Sequence, residues 1–102
     1  MTRIRGQVNP FPWPGWPSQP TRTVKEVTLA TTPTLILDTR LTRVVYLIYN
    51  HSQVTVYVGP SDVTIDTGIP IQRGGSYVNE GWNGVVYGVC ATGTAVVRVE
   101  EN

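Results

Sequence analysis

The chain from residue 23 onwards is a series of short apolar runs, most of them alternating with polar residues, and turn-forming residues separate them. Such alternation is typical of half-buried β-strands, and β-branched residues favour the same conformation. We therefore predict an all-β fold of about eight short antiparallel strands and no helix, either a β-sandwich or a jelly-roll-like barrel. The predicted strands are 23–30, 34–38, 43–49, 54–58, 68–71, 76–78, 85–91 and 95–100, with a shorter run at 63–65.

The residues between the runs predict local geometry. The polar segment 50–52, NHS, has the chemistry of a tight turn and predicts a hairpin between the strands 43–49 and 54–58. Pro70 lacks the N–H group that a central strand needs, so its strand is expected at a sheet edge or a bulge. The adjacent glycines at 74–75 predict a turn with positive φ.

Residues 9–20, NPFPWPGWPSQP, differ from the rest of the chain because they combine five prolines with three large aromatic side chains. Proline fixes φ and removes the backbone donor, so an extended, polyproline-like path is expected. Each of Phe11, Trp13 and Trp16 would bury about 150–250 Å² when covered, with an upper-bound gain of roughly 4–6 kcal/mol. We expect a neighbouring subunit, rather than the chain's own domain, to cover them.

The chain therefore divides into an extended Pro- and Trp-rich N-terminal arm, residues 1–22, and a single β-sandwich domain, residues 23–102. A core built from so few residues is near the lower limit of independent stability, and oligomerisation would add to it. The 8 basic and 7 acidic residues give a net charge of +1, which provides no field that attracts nucleic acid or a membrane. No apolar run approaches the ~20 residues of a membrane span, and the first residues lack a signal-peptide core, so we expect a soluble protein.

Few residues offer catalytic or metal-binding chemistry. Cys90 is the single cysteine, which excludes an internal disulfide, and its apolar surroundings predict a buried thiol. The single histidine, His51, fits a turn, and Asp62 and Asp66 lack the further ligands and glycine spacing of a calcium loop. We therefore predict no catalytic residue, no metal and no cofactor. An enzyme remains an alternative, and it would require Cys90 or His51 to be accessible to solvent and the two residues to lie close together.

Short motifs along residues 43–99 share one pattern of turn glycines and alternating strands. They are YNHS at 49–52, VTVYVG at 54–59, SDVT at 61–64, GIPI at 68–71, VYGV at 86–89 and GTAVVRV at 93–99. In this pattern the chain resembles a small β-domain found in virion proteins of tailed bacteriophages, although Ile71 and Arg73 stand where that family commonly has Leu and Pro. The resemblance covers more than half of the chain and does not include the arm.

The resemblance implies a non-enzymatic structural protein of the virion. We expect first a capsid decoration or cement protein, made in the host cytoplasm, that lies on the capsid surface as a homo-oligomer, with a trimer favoured. Its arm would clamp neighbouring subunits of the major capsid protein, because twelve residues of polyproline-like chain reach about 37 Å. The expected partner-binding residues are Arg3, Arg5, Phe11, Trp13 and Trp16.

Trp82 is a candidate for a second kind of contact. It lies in the loop EGWNG, where an aromatic ring can stack on a sugar, dock into a neighbour or cap the core. The alternative function is accordingly a fibre- or tail-associated host-surface or glycan-binding module, in which Trp82 and loop tyrosines stack on sugar rings. An exposed Trp82 beside hydrogen-bonding groups would favour this alternative, and a buried one would count against it.

Overall fold

The computed structural model describes residues 23–102, and all predictions for the arm at residues 1–22 lie outside the described residues. The described residues form eight β-strands and no helix, which confirms the predicted all-β fold. Residues 63–65 belong to successive turns rather than to a strand. The strands are β1 Thr23–Leu29, β2 Thr34–Leu37, β3 Val45–Asn50, β4 Val56–Gly59, β5 Ile69–Ile71, β6 Ser76–Glu80, β7 Val86–Cys90 and β8 Ala95–Glu101.

The strands form two antiparallel sheets of four strands each. The front sheet has the order β1-β8-β3-β6, and the back sheet has the order β2-β7-β4-β5. Only β4 and β5 are neighbours both in the sequence and in a sheet, so every other connection carries the chain from one sheet to the other. The longest ladder pairs β1 with β8, from Thr23 opposite Glu101 to Leu29 opposite Ala95.

Side chains from both sheets form one buried cluster, because the apolar face of each strand points towards the other sheet. The backbone of Gly88 in β7 lies close to this cluster. A Cβ atom there would lie 2.7 Å from Cδ1 of Ile36 and 2.9 Å from Cδ1 of Leu29, so only glycine fits without displacing them. The cluster consists of Leu29, Ile36, Leu37, Tyr46, Ile48, Val56, Val58, Ile71, Val86, Cys90, Ala95, Val97 and Val99.

Local predictions from single residue types are confirmed. β5, which contains Pro70, is an edge strand of the back sheet. Gly74 has a φ of 74° in the turn before β6. Cys90 is a free, buried cysteine of β7, and burial raises the pKa of its thiol.

The predicted hairpin between β3 and β4 is wrong, because the two strands belong to different sheets. Segment 50–52 instead leads the chain from the front sheet to the back sheet, and the buried side chain of Asn50 holds this corner. Its Nδ2 donates to the backbone carbonyls of Val54 at 2.7 Å and Ile71 at 2.8 Å, and its Oδ1 accepts from the N–H of Ser52 at 3.1 Å. Turn-forming residues predict a change of direction, but they do not specify which sheet receives the next strand.

We expect Asn50→Ala to lower the free energy of unfolding by about 2–3 kcal/mol, because two carbonyl groups at a buried corner lose their donor. Denaturation in urea measures this loss. The matched control is Asn83→Ala, since the hydrogen bond at Asn83 is made by its backbone carbonyl to the N–H of Arg40. We expect that control to change stability by less than about 0.5 kcal/mol. Equal losses in the two variants would contradict the role of the Asn50 amide.

Candidate binding cleft

A cleft of about 300 Å³ opens between the sheets at the edge formed by β6 of the front sheet and β5 of the back sheet. We call it the inter-sheet cleft. The front sheet contributes Tyr46, Tyr77 and Asn79, and the loop between β6 and β7 contributes Trp82. Aromatic side chains thus face a wall made mostly of aliphatic ones. The other lining residues are Val58, Gly59, Pro60, Ile69, Val85 and Val86.

The polar groups of the cleft come from two tyrosines and one asparagine. The rings of Tyr46 and Tyr77 lie 6.1 Å apart at an interplanar angle of 55°, and Nδ2 of Asn79 donates to the hydroxyl of Tyr77 at 3.1 Å. Burial, with Tyr77 as the next cause, raises the pKa of Tyr46 to about 12. Tyr46 is therefore neutral at physiological pH and serves the cleft as a hydrogen-bonding group without charge.

Trp82 lies at the rim of the cleft with 51% of its surface exposed. Its Nε1–H donates to the backbone carbonyl of Val85 at 3.1 Å, which holds the indole across its own loop. The ring lies over Gly84, where a Cβ atom would come within 2.7 Å of Cζ2 of the indole. Trp82 is therefore a fixed, half-exposed aromatic surface rather than a buried cap of the core.

Arg43, a residue for which the sequence predicts no role, organises the loops around the cleft. Its side chain has no exposed surface, and its Nε lies 2.8 Å from Oε1 of Glu101 in β8. Its Nη1 donates to the carbonyls of Gly84 at 2.9 Å and Trp82 at 3.4 Å, and its Nη2 donates to the carbonyl of Asp38. The guanidinium fork suits this position because it can donate from Nε, Nη1 and Nη2 at once to acceptors on three segments. Arg43 thereby joins the last strand to two loops.

The sequence holds one signal for this contact, a basic residue just before the apolar run of β3 and an acidic pair at 100–101. Arg43 and Glu101 are separated by 58 positions. Their side chains meet because β3 and β8 are neighbours in the front sheet, a pairing that no local pattern reveals.

The other residues considered for chemistry lie outside the cleft. Cys90 is buried in β7, whereas His51, Asp62 and Asp66 are exposed in loops. Within residues 23–102, no group of three or more His, Cys, Asp or Glu side chains is arranged to hold a metal ion. In the same part of the chain, no helix is long and apolar enough to cross a membrane.

No protein-family model, curated protein or solved structure matches this chain.

We expect Arg43→Met to lower the free energy of unfolding by about 3–5 kcal/mol, because loop carbonyls lose their donors and Glu101 keeps only the longer contact of 3.8 Å with Nη1 of Arg40. Arg43→Lys should recover only part of this loss, since an ammonium group cannot reproduce the fork. Both values are measured by chemical denaturation.

The matched control for this prediction is Arg98→Met. The side chain of Arg98 is 53% exposed, and its Nε lies 3.6 Å from the carboxylate of Glu26 on the outer face of the front sheet. An exposed pair of this kind contributes little, so we expect a change of less than about 1 kcal/mol. Similar losses in Arg43→Met and Arg98→Met would refute the organising role of Arg43.

Proposed function

We propose that this chain is a non-enzymatic structural protein of a virion, a capsid decoration or cement protein made in the host cytoplasm and carried on the capsid surface. Its β-domain has the jelly-roll topology, and its arm, residues 1–22, clamps neighbouring subunits of the major capsid protein. Copies associate as a symmetric homo-oligomer, with a trimer favoured.

The strand order is the observation that supports this proposal best. In each sheet, strands from the start of the chain lie beside strands from its end, as β1 lies beside β8 and β2 beside β7. All connections but that between β4 and β5 cross from one sheet to the other. Eight strands in two sheets with such long-range neighbours are what two Greek keys produce in a jelly roll. This architecture recurs in viral capsid domains and in lectins.

The attachment of the arm to the domain supports a clamping role. β1 follows the arm directly and pairs with β8 along all seven of its residues, and its last residue, Leu29, is fully buried. The ladder bonds of antiparallel strands are perpendicular to the strand direction. A force on the arm that acts along the direction of β1 would therefore load all of these hydrogen bonds together, in shear, rather than one after another. Proline stiffness in the arm also lowers the entropy lost on docking.

A fibre- or tail-associated glycan-binding module is the second candidate, and Trp82 favours it. The half-exposed indole lies beside the hydrogen-bonded pair of Asn79 and Tyr77 in one cleft. An aromatic ring next to a few polar groups suits the apolar face and the hydroxyls of a sugar. The aliphatic back wall offers a sugar few further hydrogen-bonding groups, which places this candidate second.

Deletion of residues 1–20 is expected to abolish binding to undecorated particles of the same virus, because the arm carries the intersubunit contact. The remaining domain should stay soluble and folded, since the described core and ladders lie within residues 23–102. Cryo-electron microscopy of mixed particles measures occupancy. A control that replaces residues 9–20 by glycine and serine separates arm length from arm chemistry. Wild-type occupancy by the truncated protein would rule out the clamp.

Trp13→Ala or Trp16→Ala is expected to weaken particle binding roughly tenfold or more, because buried tryptophans dominate protein interfaces. Trp82→Ala should weaken it less than about threefold, since it lies on the cleft rather than on the arm. Titration of labelled protein against particles measures the three affinities. An equal or larger loss with Trp82→Ala would favour a loop-mediated contact and the glycan-binding candidate.

A further inference from the structure

We propose that the inter-sheet cleft of each copy receives the proline- and tryptophan-rich segment 9–20 of a second copy, so that neighbouring copies exchange arms. This inference rests on the proposed function, in which copies form a homo-oligomer on the capsid. It assigns segment 9–20 of the arm to the contact between copies and leaves the contact with the major capsid protein to the residues that precede this segment.

The chemistry of the cleft matches that of the segment. Extended proline-rich peptides dock into aromatic-lined grooves, where proline rings lie between aromatic side chains and backbone carbonyls accept hydrogen bonds. Prolines make up five of the twelve residues of segment 9–20, so it presents more carbonyl acceptors than N–H donors. The cleft supplies the complement: three aromatic side chains, together with the donors of Tyr77 and Asn79. The Asn79 amide has two hydrogens, of which one is directed at Tyr77.

The size of the cleft limits what enters it. About 300 Å³ is at the lower end of the range for ligand pockets, which suits one large side chain with its flanking residues rather than the whole segment. A tryptophan between prolines, as in the sequence PWPGWP at 12–17, has these dimensions. The rest of the segment would lie along the rim, where Trp82 and Ile69 expose 51% and 45% of their surfaces.

The register of the front sheet places the start of the domain and the cleft at the same end. Thr23 of β1 lies opposite Glu101 of β8. Across the next two strands, Glu101 lies opposite Tyr46 of β3, and Tyr46 lies opposite Asn79 of β6. Three steps between neighbouring strands give a distance of about 14 Å from Thr23 to Asn79.

The reach of the arm favours the cleft of another copy over its own. At about 3.1 Å per residue, the seven positions from Trp16 to Thr23 span about 22 Å, and the ten from Trp13 span about 31 Å. An arm that keeps its full polyproline-like extension would therefore carry both tryptophans past the cleft of the same chain.

Exchange of arms gives a closed assembly. Each copy donates one arm and accepts one, so the contact is head-to-tail and closes into a ring when the rotation between copies matches a cyclic symmetry. Arg3 and Arg5 precede the docked segment and remain available for acidic groups of the coat.

The test uses full-length variants and sedimentation equilibrium. Ile69→Arg places a charge at the mouth of the cleft, and Ile65→Arg is the matched control because both isoleucines are 45% exposed and Ile65 lies outside the cleft. We expect Ile69→Arg to weaken self-association at least tenfold and Ile65→Arg to change it less than twofold. Equal urea midpoints for the two variants show that folding is unaffected. If Ile69→Arg is less stable, Asn79→Ala provides a second cleft variant, because it removes a donor of the cleft.

A mixing experiment tests whether the contact is made between copies. Full-length Trp13→Ala/Trp16→Ala keeps the cleft and loses the anchors, whereas Ile69→Arg keeps the anchors and loses the cleft. Each alone should be monomeric, and an equimolar mixture should form heterodimers held by one contact. Mixtures that stay monomeric, or equal effects of Ile69→Arg and Ile65→Arg, would overturn the proposal.

The arm of the same chain is the competing occupant of the cleft, and tryptophan emission distinguishes the two arrangements. In a Trp82→Phe background only the arm tryptophans emit. Emission that is blue-shifted at all concentrations in a monomeric protein, and red-shifted by Ile69→Arg, would show that each arm occupies its own cleft and would overturn the exchange.

Failure of this inference is distinguishable from failure of the proposed function. If Ile69→Arg still self-associates like the wild type, the cleft is not the site of the arm. If Ile69→Arg no longer exchanges arms but binds viral particles fully, the contact with the particle does not depend on the cleft. Intact exchange in solution without binding to particles would instead refute the decoration role.

Discussion

A single buried guanidinium, that of Arg43, holds together the end of the β-sandwich at which the cleft and the root of the arm lie. Its ion pair with Glu101 fixes the end of β8, and its hydrogen bonds to the carbonyls of Gly84 and Asp38 fix the loops on either side. Burial of a charge is costly unless its donors are matched, and here the acceptors come from three separate segments. The guanidinium of Arg43 therefore links these segments beside the cleft, while the indole of Trp82 is held by its own hydrogen bond to the carbonyl of Val85.

A second buried polar residue stands at the other end of β3. Asn50 is fully buried and donates to carbonyls on two segments that lead into and out of the back sheet. Hydrophobic burial is not directional, so an apolar core by itself tolerates several alignments of the strands. Hydrogen bonds are directional, and a slip of two residues in β3, which keeps its apolar face towards the core, would leave buried carbonyls without donors. Arg43 and Asn50 thus select one alignment among those that the core permits.

Three of the four edge strands, β1, β2 and β5, carry features that oppose pairing between strands of different copies. β5 contains Pro70, β2 is interrupted by a bulge, and β1 carries Lys25 and Glu26. Such features are common protections of exposed edges. Association by sheet extension is therefore disfavoured at these three edges. The proposed contact between the inter-sheet cleft and the proline-rich arm is made by side chains, and it would remove aromatic residues of the arm from water.

The residues by themselves determined the eight segments that become strands, because alternation and β-branched composition act within each short segment, whereas the short apolar run at 63–65 forms turns. The edge position of Pro70, the positive φ of Gly74 and the burial of Cys90 are local consequences of the same kind. The tertiary structure alone decided which strands pair, and it replaced the expected hairpin at 50–52 with a crossover between sheets. It also brought Arg43 to a carboxylate 58 positions away and opened the cleft between strands of different sheets. The physical reason is that the apolar faces of the two sheets must cover each other. This condition involves strands from the whole chain, so it cannot be read from any short segment of the sequence.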